Sequence, residues 1–276
     1  MWRDFLFFLK LFFQILFVML LGFGISIGVL ISVQESMRLP TPQELAALDN
    51  VSAHLGAEER HTVKKSRNSV LRVLSGRSGR GSISSMSGTY LVHNSKYYVL
   101  TAAHGIKGEC EYFFVATSED NLYDCIRYID INQRKDYAII EIEKVSGRIP
   151  LRLSQVIPSN SAWKEEAAIL NETFYTGYPN SLGPLTFEGS VAGLSKQQDI
   201  YLHSYAWPGS SGAGVFSREG KLIGIVLALN VGLTSAGYDV LEDLVIVLPL
   251  FKIEWDLVYA AMEESAQDGD TGDSGE

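Results

Sequence analysis

The chain is poor in the residues that staple small folds or ligate metals. It holds 2 cysteines, 5 histidines and 8 prolines in 276 residues. So few cysteines exclude a disulfide-stapled mini-protein, and the scattered histidines show no zinc-ligand spacing. No Walker loop occurs, and no G-x-G-x-x-G follows a strand pattern. No metal and no cofactor are therefore expected. There are no internal repeats. Basic residues are outnumbered 23 to 32, for a net charge of −9. Without a basic excess to neutralise phosphates, nucleic acid is not an expected partner. Much of the acidity sits in the tail, where Glu263, Glu264, Asp268, Asp270, Asp273 and Glu276 follow Met262 with no base among them. The 46% hydrophobic and 20% charged content excludes a wholly disordered or collagen-like chain.

Charge is missing altogether from one long segment. Residues 11–33 read LFFQILFVMLLGFGISIGVLISV. At about 1.5 Å per residue this run crosses a bilayer core of roughly 30 Å. It is apolar on every face, unlike a helix packed on a soluble domain. It is also longer than the apolar part of a cleaved signal peptide, and no A-x-A site follows. An uncleaved signal anchor is the expectation. Arg3 and Lys10 precede the span, so the positive-inside rule puts residues 1–10 in the cytoplasm. Everything after Val33 is then extracytoplasmic, whether periplasmic, extracellular or lumenal. Residues 34–67 read as a polar stalk. Thr41-Pro42-Gln43-Glu44 carries a capped helix start, with a short helix to about Leu55 and a basic stretch from His61 to Arg67.

From Asn68 the apolar period becomes that of strands. Ser69–Leu74 is one, and Gly76–Ser85 reads as a flexible Gly/Ser loop. Ser87–Val92 and Tyr97–Thr101 flank Asn94-Ser95 as a hairpin. Strands follow at Tyr112–Thr117, Leu122–Ile131, Tyr137–Ile142, Thr186–Ala192, Ile200–Ser204, Ala213–Phe216, Leu222–Leu229 and Leu244–Val247. Short strands separated by turn signals predict an all-β barrel or sandwich. Pro249 opens a helix with Ile253, Leu257, Val258 and Ala261 on one face. The folded domain is expected over 68–264, and the acidic tail 265–276 is expected to be disordered.

Three segments carry chemistry. Thr101-Ala-Ala-His104-Gly ends a strand. Lys135-Asp136-Tyr-Ala-Ile-Ile places one acid at the mouth of an apolar strand. Pro208-Gly-Ser-Ser211-Gly-Ala-Gly214 is a tight turn around a serine. Each alone has a bland reading as a packed histidine, a turn acid or a loop. Together they supply a nucleophile, a base and a base-orienter. A serine hydroxyl needs a base to take its proton, and imidazole, which titrates near neutrality, takes and returns one. A carboxylate behind the ring fixes its tautomer. Glycines beside the serine let backbone N–H groups converge on a developing oxyanion.

TAAH, DYAII and PGSSGAGVF, in this order, resemble the trypsin-like serine endopeptidases of clan PA. The spacings are 32 and 75 residues. This compact arrangement is similar to the HtrA/Deg-type protease domain, over about residues 69–262. The resemblance implies two six-stranded antiparallel β-barrels of the chymotrypsin kind with a C-terminal helix, here preceded by one transmembrane helix. It implies His104 as general base, Asp136 as its orienter and Ser211 as nucleophile, with the N–H groups of Gly209 and Ser211 as oxyanion hole. It places the substrate pocket at Tyr205, its floor, and at Leu227, Ala228 and Leu229, its wall. None of these is an acid, so cleavage after Lys or Arg is not expected, and a small or aliphatic P1 residue is. His203 is a further pocket candidate.

Departures from the family pattern are specific. Ser210 stands where digestive-type relatives carry an Asp that receives a cleaved N-terminus, so that activation switch is absent. Ala213-Gly214 replaces the usual Gly-Pro. Leu227 stands where many relatives place a hydroxyl that supports the catalytic Asp. No PDZ domain is expected after the protease domain. Cys110 and Cys125 flank a hairpin, and their pairing is left open. Asn50-Val-Ser and Asn171-Glu-Thr are glycosylation sequons. The expected partners are a protein or peptide substrate and, through 11–33, a membrane. Two other readings stay open: a membrane-tethered pseudoprotease that only binds, and a viral protease that processes a polyprotein.

Overall fold

The computed structural model describes residues 55–117, 121–156, 162–234 and 237–268, with the helical positions Leu16 and Met19. At 80–82, 155–156, 228–234, 237–242 and 265–268 the backbone alone is described. The expected span 11–33 otherwise lies outside these residues, as do the helix expected from Thr41 and the tail beyond Asp268. No helix among the described residues is long and apolar enough to cross a membrane.

The first barrel is built from β1 (Val70–Arg77), β2 (Arg80–His93), β3 (Lys96–Thr101), β4 (Phe113–Ala116), β5 (Leu122–Asn132) and β6 (Tyr137–Ile142). They run in the order β1-β4-β5-β6-β3-β2, and β2 pairs back onto β1 to close the ring. The two-residue strand β7 (Leu151–Arg152) adds in parallel to β2. The second barrel closes as β10-β13-β12-β11-β8-β9 from β8 (Glu172–Gly177), β9 (Leu185–Leu194), β10 (Ile200–His203), β11 (Gly214–Ser217), β12 (Leu222–Thr234) and β13 (Gly237–Pro249). Each barrel is filled by the inward residues of its strands. Leu71, Val73, Tyr90, Val99, Phe113 and Ile140 fill the first. Tyr175, Val191, Leu202, Val215, Val226 and Val247 fill the second.

A third apolar cluster joins the barrels to the C-terminal helix. Leu91, Leu100 and Ile139 of the first barrel meet Phe216, Ile225 and Leu248 of the second, together with Val258 and Met262. Among the described residues from Ala57 on, three helices precede the C-terminal one, α1 (Ala57–Ser69) and the single turns α2 (Leu153–Val156) and α3 (Trp163–Glu166). Beyond Pro249 the chain makes one 3-10 turn, and the helix α4 (Trp255–Asp268) begins only at Trp255. Of the face expected for it, Ile253 and Val258 are buried, but Leu257 is 64% exposed. Burial of Met262 completes the inner face instead. Arg127 adds a polar tie. It pairs with the buried Glu141 at 2.9 Å and donates to the Ala261 carbonyl at 3.0 Å.

The Asn94-Ser95 hairpin forms as expected, both residues taking the left-handed conformation that a two-residue β-turn requires. The Gly76–Ser85 segment does not form a loop. It is the tip of the β1–β2 hairpin, with Ser75 opposite Ser84 and Gly79 turning at φ +72°. Ladder pairing across to β1 outweighs the low strand propensity of glycine and serine there. Strand β8 had no counterpart in the strand pattern, although Phe174 and Tyr175 lie at its centre and are buried. Cys110 and Cys125 form a disulfide, with Cα atoms 5.4 Å apart.

The basic stretch expected in the stalk is part of a docked helix, α1 (Ala57–Ser69). Thr62, Val63, Ser66 and Ser69 are buried on it. Its mean character is polar, and what holds it is hydrogen bonding to the second barrel. Thr62 Oγ1 donates to the Arg218 carbonyl at 2.8 Å, Lys65 Nζ to the Gly220 carbonyl at 2.5 Å, and Ser66 Oγ to Thr176 Oγ1 at 2.9 Å.

Burial pushes the phenols of Tyr90, Tyr98 and Tyr137 up to about 12, with a hydrogen bond to Asp130 adding to the effect at Tyr137. An unfolded tyrosine titrates near 10. A folded pKa above the unfolded one means that this stabilisation is complete below about pH 10 and is lost as pH rises toward about 12. The urea midpoint is expected to stay level up to about pH 9.5 and then to fall, with tyrosinate absorbance rising alongside unfolding. Full tyrosinate absorbance in a still-folded chain would contradict the burial of these rings.

Candidate active site

His104 follows the end of β3. Thr101 closes the strand, Ala102 and Ala103 are fully buried, and a 3-10 turn over Ala103–Gly105 swings the imidazole into the open. Small residues are needed here because the turn packs against Met86. A Cβ on Gly105 would lie 2.2 Å from the Met86 sulfur. The histidine side chain is half exposed.

Asp136 stands at the head of β6 with φ +60°, a left-handed conformation that aspartate tolerates better than most residues. The consequence is directional. Its carboxylate turns back onto the His104 turn and holds it with both oxygens. Oδ2 lies 2.8 Å from the ring Nδ1, and Oδ1 accepts the His104 backbone N–H at 2.8 Å. Leu227 offers no hydroxyl to the acid, but neither carboxylate oxygen lacks a partner. With Nδ1 engaged by the carboxylate, Nε2 is the nitrogen left to exchange a proton.

Ser211 lies in the turn before β11, and each carbonyl of its loop from Pro208 to Gly212 has a donor. Asn180 N–H donates to the Pro208 carbonyl at 2.6 Å. Ser87 Oγ donates to the Gly209 carbonyl at 2.7 Å, and Ala213 N–H to that of Ser210 at 3.0 Å. Ser87 N–H donates to the Ser211 carbonyl at 2.9 Å, and Thr89 Oγ1 to that of Gly212 at 3.2 Å. Three of these five donors come from β2 of the first barrel. In a trans peptide the N–H points opposite to the carbonyl. Anchoring the Pro208 and Ser210 carbonyls therefore turns the Gly209 and Ser211 amides the other way. Neither amide has an acceptor among the described residues. Gly209 at φ +99° and Gly212 at φ +87° permit the turn. A Cβ on Gly212 would meet the Ser87 carbonyl at 2.2 Å.

His104, Asp136, Ser210 and Ser211 line one cavity of about 400 Å³ with Ala206, Trp207, Pro208, Val226 and Leu227. The three chemical side chains are thus brought to one cavity. The Ser211 hydroxyl donates to the Leu227 carbonyl at 2.8 Å rather than to His104. Of the pocket candidates, Leu227 is in the wall. Tyr205, expected at the floor, does not line this cavity: the residue is 60% exposed, and its carbonyl accepts from the Tyr175 hydroxyl. Its neighbour Ala206 does line it. Ala228 and Leu229 continue β12 opposite Ile246 and Val245, and their side chains lie outside the described residues. His203 is exposed and does not reach the cavity. Ser210 is buried, and its hydroxyl accepts the Trp207 N–H at 3.4 Å, a local role with no need of a charged partner.

Sequence reasoning missed Trp207 and Ser87. Trp207 is held edge-on to Phe187, which stacks on Tyr175. Ser87 had the stronger signal: a serine in an apolar hairpin strand, fully buried, must have partners. Its hydroxyl has two, since Oγ donates to the Gly209 carbonyl and also accepts the Tyr178 N–H at 2.8 Å.

Two closed six-stranded barrels that present a serine, a histidine and an aspartate to a shared cavity define the double-barrel peptidase class. Residues 86–225 match the trypsin-like peptidase domain, half of the chain, and the chain belongs to that family of serine endopeptidases. Among solved structures it is similar to the crystal structure of the serine endoprotease from Yersinia pestis. The TM-score is 0.57, over 75% of this chain and 68% of that one, at 18% identity. At that identity the likeness is one of fold. No curated protein matches the chain.

Ser87→Ala removes the donor to the Gly209 carbonyl and the acceptor of the Tyr178 amide together. Two buried groups are left unpaired, so stability should fall by about 1–3 kcal/mol. Peptidase turnover should fall at least ~10-fold because the nucleophile loop loosens. Thermal unfolding alongside steady-state kinetics would check both; unchanged turnover would show that β2 does not set the loop.

Proposed function

We propose that the chain hydrolyses peptide bonds of protein substrates through Ser211, His104 and Asp136. The observation that carries this is the grip of Asp136 on His104 through both carboxylate oxygens, in the cavity that also holds Ser211. The reaction begins with rotation of the Ser211 hydroxyl from the Leu227 carbonyl toward His104 Nε2. His104 takes the hydroxyl proton as Oγ attacks the scissile carbonyl carbon. The oxygen becomes an oxyanion facing the Gly209 and Ser211 amides. Collapse breaks the C–N bond, and His104 delivers the proton to the departing amine. Water then attacks the acyl-enzyme with the same proton transfers in reverse order.

The reading extends to placement. Residues 11–33 anchor the chain in a membrane, with the barrels on the extracytoplasmic side. The apolar run and its flanking basic residues support this, as does the Cys110–Cys125 disulfide, which persists in oxidising compartments. A second reading draws on the Ser211–Leu227 hydrogen bond: a tethered module that binds without cleaving.

A fluorophosphonate probe on the full-length chain separates them. Labelling is expected in the parent and lost in both Ser211→Ala and His104→Ala, because only an activated serine reacts quickly. A folded parent that takes no label would favour the binding module.

Specificity follows from the cavity wall. Ala206, Val226 and Leu227 are apolar, and the one acid in the lining among the described residues, Asp136, is committed to His104. A small or aliphatic P1 residue is expected, because capture of a P1 cation needs a free carboxylate. A peptide library is expected to show kcat/KM at least ~10-fold higher for Val or Ala than for Lys or Arg at P1. Preferential cleavage after Lys or Arg would overturn this.

A further inference from the structure

Helix α1 reaches the nucleophile loop through the half-buried Arg148 and the buried Tyr178. The carbonyl of Arg67, in its last turn, accepts from Arg148 Nη1 at 2.9 Å, and Arg148 Nη2 donates to the Tyr178 hydroxyl at 3.0 Å. Tyr178 is 2% exposed and runs from that contact to the site. Its backbone N–H donates to Ser87 Oγ, which in turn donates to the Gly209 carbonyl. The Tyr178 carbonyl lies where a Cβ on Gly209 would be, at 2.6 Å. Two residues on, Asn180 turns at φ +50° and anchors the Pro208 carbonyl. One segment, Tyr178 to Asn180, thereby fixes the peptides on both sides of Gly209. A parallel tie from Ser66 to Thr176 holds the end of β8, which leads directly into that segment. At Gly177 the strand passes so close to the loop that a Cβ would lie 3.4 Å from Ala213 Cβ and 3.5 Å from Ser210 Cα.

We infer that Arg148 and Tyr178 are positioning residues for the oxyanion hole, carrying the docking of α1 to the Gly209 peptide. The inference rests on the serine-peptidase reading above. The planar guanidinium suits the task because its rigid fork spans two acceptors, which an ammonium does not do in the same geometry. The effect should fall on the transition state. A hole misaligned by a fraction of an ångström weakens its hold on the oxyanion while leaving ground-state peptide binding nearly untouched.

The test uses the full-length chain and the variants Arg148→Met, Arg148→Lys and Tyr178→Phe. The readouts are kcat, KM, the fluorophosphonate labelling rate and the affinity for a peptide boronate, whose tetrahedral adduct places an oxygen in the hole. Each variant is expected to lower kcat and labelling rate ~10-fold, with KM changed less than ~2-fold and boronate affinity falling in step with kcat/KM. Arg148→Lys should not rescue. The double variant Arg148→Met/Tyr178→Phe should be no worse than the poorer single, since both act along one path. Should Arg148→Met fail to fold, Tyr178→Phe, which keeps the ring and removes only the hydroxyl, decides the matter. Folded variants with parental kcat and boronate affinity would overturn the inference, as would losses confined to KM or to thermal stability. A parent chain that takes no phosphonate would overturn the serine chemistry itself, a result distinct from parental labelling that the variants leave unchanged.

Discussion

Everything at the site depends on the grip of one barrel on a loop of the other. Ser87 and Thr89, two residues apart on β2, face the same way because side chains alternate along a strand. Their hydroxyls and the Ser87 amide reach across to the carbonyls of Gly209, Ser211 and Gly212. Close approach is the condition for this, and the glycines supply it. A side chain at Gly212 would strike the Ser87 carbonyl, and one at Gly214 would strike Thr89. The site is therefore not a property of either barrel. His104 and Asp136 belong to the first, Ser211 to the second, and the same strand that leads toward the histidine hairpin holds the serine turn in place.

That grip requires the barrels to stay in register, and apolar packing provides the restraint. The cluster of Leu91, Leu100, Ile139, Phe216, Ile225 and Leu248 draws on both, and α4 closes it with Val258 and Met262. At about 25 cal/mol per Å² of apolar surface, burial of side chains this size dominates any single hydrogen bond across the junction. The polar contacts thus fix orientation within a frame that the apolar cluster holds. The buried Glu141 with Arg127 fits the same division. A buried ion pair adds little net stability, but here its fork also holds the Ala261 carbonyl and sets where α4 lies.

How much of this was legible beforehand follows from where the information resides. That His104, Asp136 and Ser211 meet at one cavity was legible because the chemistry expected of them needs particular residue types beside glycine and alanine, and those neighbours leave a local pattern. The Asn94-Ser95 turn was legible for the same reason. Gly76–Ser85 was misread because its strand character comes from pairing with β1 and not from its own residues. The docking of α1 was hidden because its contacts are threonine and lysine bonds to the carbonyls of Arg218 and Gly220, some 155 residues away, and a serine bond to the Thr176 hydroxyl. A polar helix with such partners looks like a solvated stalk. Tyr205 differs in kind. Its place was carried over by counting back from the serine, a count sensitive to one residue of offset, and the residue that lines the cavity is its neighbour Ala206.

The absence of an acid at position 210 makes the loop informative in its own right. In digestive-type relatives an ion pair at that position assembles the loop. Here Ser210 is buried and bonded only locally. Yet five successive carbonyls, from Pro208 to Gly212, each have a donor. Fixing a carbonyl fixes its peptide plane, so the free direction of each intervening amide is decided as well. The Gly209 and Ser211 amides are without acceptors among the described residues for that reason, and not because the loop is loose. Two unpaired N–H groups beside a cavity carry a cost in a folded chain, which the surrounding donors over-determine. An ion pair concentrates such control in one contact that can be made or broken. Five dispersed hydrogen bonds from β2, from the Tyr178–Asn180 segment and from the loop itself spread it over the fold, so the geometry of the proposed oxyanion hole is set as the barrels come together.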